Sequence, residues 1–312
     1  MPIEAPLILI IYGALRSGTT LLRLMLDGHP GISCPGEADF LVDYISEDHK
    51  DFKIDFEELE ENRIFKASGL KLRRDVSAGE AIKDMARQMQ RNSDNVLAIM
   101  LHRNLQKALQ VFPDALVLHV LRDPRDVAYS SIGMGWAGNT YHGVDHWIRT
   151  EDEWDLAMKK GGPFTSDVLK YEDLIARPRQ ELERVCHFIG LRYDEGMLSY
   201  PQYSTYAFPD LSLIEQWKTK QNEQDICLVE GKVGDRLTSR GYRKSGPSQG
   251  DPNKAQKLKL LFQNKKIVWA RKFKKFGIYD PLIVGIARRL GKPELARHAQ
   301  RRIDETIIKH LK

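Results

Sequence analysis

Eight residues, Gly13 to Thr20 (GALRSGTT), join an apolar run to an amphipathic one and carry the parts of a phosphate cradle. A glycine loop that follows a buried strand and opens a helix aims backbone N–H groups at an anion. The spacing matches G-x-x-x-x-G-K-[ST] at both glycines and at Thr20, but Thr19 stands where the lysine would be. Without that lysine the loop is poorly equipped to hold β- and γ-phosphates, and Arg16 supplies a cation instead. Such a site suits a donor with one 5′-phosphate bearing a further anionic group. The competing reading is a capping turn in which Thr19 and Thr20 satisfy backbone donors. A second cluster, RDPRDVAYS (Arg122 to Ser130), sets an arginine at the end of another apolar run and a hydroxyl in the helix beyond it. A guanidinium presents a planar fork to phosphate. The two clusters together fit a nucleotide with two separate phosphates. Glu37, just past Pro35-Gly36, could take the proton of an acceptor hydroxyl. The bland alternative is an exposed loop glutamate.

The segments that must position these groups alternate in period. Leu7 to Tyr12 (LILIIY) reads as a strand buried on both faces, and Thr20 to Asp27 as a helix stopped by Gly28-His29-Pro30-Gly31. Ala115 to Leu121 is a second buried strand, with Pro124 placed to open a helix. Asp167 to Tyr171 is a short third strand, and a further strand is expected before the Pro35-Gly36 turn. Gly79–Arg91, Asn104–Val111, Val144–Lys159 and Pro178–Ile189 read as helices. Asp43 to Arg63 is acidic without a clear period, and Gly133 to Gly143 reads as a loop. The fold class is therefore α/β: a three-layer, P-loop-like parallel sheet flanked by helices. It is expected over residues 1–245, with 246–312 as a basic helical extension packed on it or peripheral to it.

On these residues the chain resembles the sulfotransferases that use 3′-phosphoadenosine 5′-phosphosulfate (PAPS), most closely their bacterial and tyrosylprotein branch. RSGTTLLRLMLDGHP (Arg16 to Pro30), the CPGE after it, RDPRDVAYS, LKYEDLIARP (Leu169 to Pro178) and FIGL (Phe188 to Leu191) carry the likeness. The resemblance implies that Arg16, Ser17, Gly18, Thr19 and Thr20 bind the 5′-phosphosulfate. It assigns Arg122 and Ser130 to the 3′-phosphate and has Tyr171 help hold the nucleotide. It makes Glu37 the catalytic carboxylate and has Ser204 steady the transferring sulfuryl group. PAPS would be the co-substrate and 3′-phosphoadenosine 5′-phosphate (PAP) the product, with no metal. Two lysines of the related enzymes are missing. One position falls in NVLAIML (Asn95 to Leu101), where His102 or Arg103 could substitute; the other is Gln216, with Lys218 close by.

Charge is unevenly spread. Asp251 to Lys312 holds 17 Lys/Arg and five Asp/Glu, a net of +12, which leaves the first 250 residues at −7. Three scattered cysteines without metal-ligand spacing, no signal-like segment and no apolar run near the length of a membrane span point to the cytoplasm. Within the tail, Ile267, Trp269, Phe273 and Phe276 alternate with cations, which admits peripheral contact with an anionic membrane. A packed extension with a solvated basic face explains the same pattern, and nucleic acid is not expected as a partner. His142 and His146 share i,i+4 spacing but lie beside Gly143. Trp136, Tyr141, Trp147 and Trp154 could line an acceptor cleft or fill the core. Asp123 and Asp126 suit a helix N-terminus.

The reading that follows is an enzyme moving a sulfuryl group from PAPS to a hydroxyl, in line, with a carboxylate base. The acceptor is open among carbohydrate, lipid-linked, phenolic and peptide hydroxyls, as is the oligomeric state. The alternatives are a P-loop small-molecule kinase, disfavoured by Thr19, and a nucleotide-binding protein that has lost catalysis.

Overall fold

A computed structural model describes residues 6–48, 51–91, 96–160, 164–246 and 250–311. Asn95 and residues 247–249 of the polar segment before the tail lie outside these. Two compact units divide the chain: Met1–Val127 with His146–Lys220, and Ala128–Asp145 with Gln221–Lys312.

Among the described residues the first unit has seven strands: β1 (Ile8–Gly13), β2 (Ile32–Glu37), β3 (Ile45–Asp48), β4 (Asp51–Ile54), β5 (Val96–Leu101), β6 (Leu116–Leu121) and β7 (Ser166–Lys170). Five form one sheet in the order β2-β5-β1-β6-β7, every pair parallel. The apolar run of β1 exists because its residues serve both faces. Leu9 and Ile11 join a core with Leu22, Met25 and Leu182, whereas Ile10 and Tyr12 join another with Ile82, Leu105 and Trp154. Helices Thr19–Asp27 and Pro178–Phe188 cover the first face; Ala78–Gln88, Leu105–Val111 and the later turns of Asp145–Lys160 cover the second. This is the three-layer α/β arrangement expected from the alternating pattern.

Three local features differ from the sequence reading. Pro35-Gly36 is not a turn after β2 but a bulge within it, where the register to β5 shifts between Ser33 and Gly36. Proline is tolerated there because β2 is an edge strand and a bulge needs no N–H in the ladder. The acidic stretch after Asp43 holds the antiparallel pair β3–β4 and helices Phe56–Glu61 and Arg63–Ser68, capped by Asp55 and Asn62. Val96–Leu101 is an interior strand, fully buried, between β2 and β1.

The second unit contributes helices Thr140–Gly143, Glu223–Val233 and Arg236–Ser239, then Lys254–Phe276, Tyr279–Arg289 and Pro293–Leu311. The last three are the basic helices expected. Asn253 and Gln256 begin them with a reciprocal capping box.

Candidate functional site

Because the five strands run parallel, their carboxyl ends share one edge of the sheet. The chain leaves β1 toward β2 on one side and leaves β6 toward β7 on the other, so the topological switch lies between β1 and β6. Ligands bind outside the strand ends at such a switch. The two sequence clusters stand there: Gly13–Thr20 leaves β1, and Arg122 follows β6, with Gly13 opposite Val120 in the register.

The loop is shaped by close approach. A Cβ on Gly13 would lie 2.5 Å from the Val120 carbonyl oxygen, and one on Gly18 would lie 2.2 Å from the Tyr171 ring. Arg16 and Gly18 both have positive φ, 72° and 88°, which curls the loop back to the helix. Gly18 is the N-cap of helix Thr19–Asp27, and no side chain caps that end. The capping-turn reading therefore fails: Thr19 and Thr20 do not serve as the cap, and the first-turn amides are left for another acceptor. Ser17 is fully buried, and its Oγ has no hydrogen-bond partner. A buried hydroxyl left unmatched is costly in a native fold, and a bound ligand is one way to satisfy it.

Arg122 ties the clusters together. Its Nη1 donates to the carbonyl of Arg16 at 3.0 Å, its guanidinium lies 4.2 Å from the centre of the Tyr171 ring, and its buried Nε has no partner. Tyr171 opens the helix after β7, so loop, arginine and tyrosine from three adjacent strands converge. Burial lowers the Arg16 guanidinium pKa; Tyr206 opposes that, and nearby Arg122 adds to it. Two cations held this close favour an anion between them. Burial also pushes the Tyr171 phenol up, against Arg122.

The acidic residues beside Arg122 divide the work. Asp123 accepts from the Arg125 backbone at 2.9 Å and pairs with its guanidinium at 2.6 Å, which serves the helix start as expected. Asp126 instead accepts from the backbone N–H of Trp217 at 2.7 Å. Burial raises its pKa to about 6, although Arg122 opposes the shift. Ser130 lies further along helix Pro124–Gly133, in the stretch belonging to the second unit.

At the other side of β1, Glu37 is the last residue of β2 and is exposed. Asp39, two residues on, is buried and accepts from the His102 backbone N–H at 2.8 Å. Burial raises the Asp39 pKa, with His102 opposing. His102 follows β5, and its Nδ1 lies 2.7 Å from the carbonyl oxygen of Gly13. A carbonyl can only accept, so Nδ1 carries the proton. In the neutral ring Nε2 is then a bare acceptor, and it is buried without a partner. Arg103 is committed elsewhere, its Nε donating to Asp43 at 2.7 Å. Arg103 Nη1 also lies 3.8 Å from Asp39 Oδ2, and His102 Nε2, as a bare acceptor, offers a lone pair rather than the N–H of a lysine. At the second position, Gln216 donates to the Ser212 carbonyl at 3.3 Å and Lys218 pairs with Glu215 at 2.5 Å.

Ser204 lies in a loop after the short 3-10 turn Tyr200–Gln202, and its Oγ accepts from Tyr206 N–H at 3.2 Å. Tyr206 of the same segment interacts electrostatically with Arg16. Trp147, Trp154 and Tyr141 are buried and belong to the packing, while Trp136 is 46% exposed. His142 pairs with Asp145 at 3.1 Å and His146 Nε2 lies 3.0 Å from the Leu15 carbonyl oxygen. Among the described residues, no group of three or more His, Cys, Asp or Glu is placed to hold a metal ion.

Residues 6–195 match the model of the sulfotransferase family. Over 203 residues the chain is 24% identical to the Caenorhabditis briggsae protein named "Putative protein-tyrosine sulfotransferase", covering 62% of this chain and 69% of that one. The fold is similar to the sulfotransferase domain of the curacin biosynthetic pathway, at TM-score 0.55 and 17% identity, covering 76% of this chain and 98% of that one. It is also similar to the sulfotransferase domain of the Synechococcus PCC 7002 olefin synthase, at TM-score 0.54 and 21% identity, covering 74% and 96%. A buried strand, a lysine-free phosphate loop and an arginine at the neighbouring strand end thus sit inside a family match spanning well over half the sequence: the chain belongs to the sulfotransferase family.

Proposed function

We propose that the protein transfers a sulfuryl group from PAPS to a hydroxyl acceptor and releases PAP. The observation that carries this reading is the pair of buried, unmatched polar atoms at adjacent strand ends, Ser17 Oγ and Arg122 Nε, joined by the 3.0 Å bond from Arg122 to the Arg16 carbonyl. One belongs to a loop suited to a 5′-phosphosulfate and the other to an arginine suited to a 3′-phosphate. When bound, the donor supplies an activated sulfuryl group on a good leaving phosphate. Arg16, Ser17, Gly18, Thr19 and Thr20 hold the 5′ end, while Arg122, Ser130 and Tyr171 hold the rest of the nucleotide. Arg16 and the uncapped helix amides stabilise negative charge left on the phosphate. Ser204 steadies the sulfuryl oxygens.

In the transfer the acceptor oxygen bonds to sulfur, the sulfur–phosphate oxygen bond breaks, and its electron pair leaves on the phosphate. Glu37 takes the acceptor's proton. A second reading gives that proton to His102, favoured by its Nδ1 bond to Gly13 and its bare, buried Nε2. The two differ in which variant, His102→Gln or Glu37→Gln, loses turnover while PAP binding is kept.

The acceptor classes to test are phenolic, peptide, carbohydrate and lipid-linked hydroxyls, beginning with tyrosine peptides because of the C. briggsae relative's name. The experiment is transfer from isotope-labelled PAPS, with mass detection of the added sulfate. Transfer to one class with release of PAP is expected. Tight PAP binding with no transfer to any class would favour a nucleotide-binding protein without catalysis.

A further inference from the structure

The basic helices of the second unit have one apolar face too many. Helix Tyr279–Arg289 buries Pro281, Val284 and Ala287 on one side. Trp269 of the preceding helix packs 3.4 Å from where a Cβ on Gly285 would stand, and its ring lies 5.3 Å from that of Phe273. The aromatic residues that the sequence offers for membrane contact are therefore half-buried among the helices themselves.

A different row is exposed. Tyr279 (83%), Leu282 (38%), Ile286 (54%) and Leu290 (65%) recur at three- and four-residue steps, which places them on one stripe of the helix. Cations lie at both ends of that stripe: Lys272, Lys274 and Lys275 before it, and Arg288, Arg289 and Lys292 after it, all exposed. From Lys254 to Lys292 there are twelve Lys/Arg and a single acid, Asp280. That carboxylate is held by Arg302 Nε at 2.9 Å. No helix among the described residues is long and apolar enough to cross a membrane.

We infer that the stripe Tyr279–Leu282–Ile286–Leu290 lies in the interface of an anionic lipid bilayer, with the flanking lysines and arginines on the headgroups. The charge complementarity selects the occupant. A nucleic acid would use the cations and leave the apolar row unexplained. A second copy would bring like charges, the six flanking cations against the same six, to one rim. A shallow apolar stripe rimmed by basic residues meets both demands of an anionic interface. This inference is independent of the reaction proposed above.

The test is co-sedimentation of the full chain with vesicles of phosphatidylcholine, with and without phosphatidylserine. Binding to the phosphatidylserine vesicles is expected, and Ile286→Glu/Leu290→Glu should weaken it roughly tenfold or more. Arg288→Gln/Arg289→Gln/Lys292→Gln should reduce the preference for phosphatidylserine. All five positions are exposed, and an unchanged circular-dichroism melt establishes that the variants fold. Three results would overturn the inference. One is no sedimentation of the wild-type chain with anionic vesicles. Another is sedimentation of the glutamate variant equal to wild type, which would leave charge alone as the cause. The third is self-association of the wild type that the glutamate variant abolishes while vesicle binding persists.

Discussion

Arg122 and His102 are each held by a backbone carbonyl of the Gly13–Thr20 loop. On the proposed function the Arg122 bond to Arg16 would couple the two phosphate positions, so Arg122→Ala should weaken PAP by roughly tenfold to a hundredfold, as expected for a charge-assisted pair. It should weaken 5′-AMP far less. Calorimetric titration of both nucleotides checks this, and equal losses would remove the 3′-phosphate role. Glu37→Gln should keep PAP affinity and lower turnover by about 10²–10⁴-fold, the ordinary contribution of a general base. His102→Gln separates the readings. If His102 is the base, its loss lowers turnover by about 10²–10⁴-fold, while Glu37→Gln leaves turnover near wild type. Single-turnover transfer by the two variants, with PAP affinity measured for each, decides between them.

At the scale of elements, the site is made by strand ends and the turns that leave them. Gly18 shows how tightly this is drawn, because it combines a left-handed backbone with contact against the Tyr171 ring. Gly18→Ala should cost roughly 1–3 kcal/mol in backbone strain and crowding. Truncating Tyr171 in the same chain should recover part of that loss. Urea unfolding of the two single variants and the double variant forms the cycle, and strict additivity would mean that ring and loop do not touch. The bulge in β2 has a similar role for Glu37. One extra residue between Ser33 and Gly36 lets an edge strand carry a proline and still return to register with Met100 at its last residue. Sequence reading places a turn there because Pro-Gly is a strong turn signal, and it leaves Val96–Leu101 unassigned. In that run Leu97, Ala98, Met100 and Leu101 suit a helix as well as a strand. Only pairing with β1 and β2 resolves it.

For the molecule as a whole, burial of acids near the site ties stability to pH. Asp126 has its pKa raised from 3.8 to about 6, and burial moves Asp39 in the same direction. An acid whose folded pKa lies above its unfolded value keeps its proton longer in the native state. Stability from Asp126 is then greatest below about pH 4, falls as pH rises to about 6, and stays reduced above that. Asp126→Asn keeps the carbonyl that accepts from Trp217 and should gain on the order of 2 kcal/mol over wild type at pH 7.5, with a smaller difference at pH 4.5. An equal difference at both values in urea unfolding would show that the carboxyl is not desolvated. The first 250 residues are acidic and the tail basic, so on the proposed function local arginines, not net charge, would have to attract the polyanionic donor. The phosphate loop, the arginine motif, the family and the parallel α/β class are legible in the sequence, because each is written in a short contiguous stretch or a local period. Ser17 and Arg122 become one site, His102 Nε2 is left bare, and a stripe from Tyr279 to Leu290 stays uncovered only in the tertiary structure. Those three facts depend on strand order and on which faces meet, contacts between distant residues that no local pattern encodes.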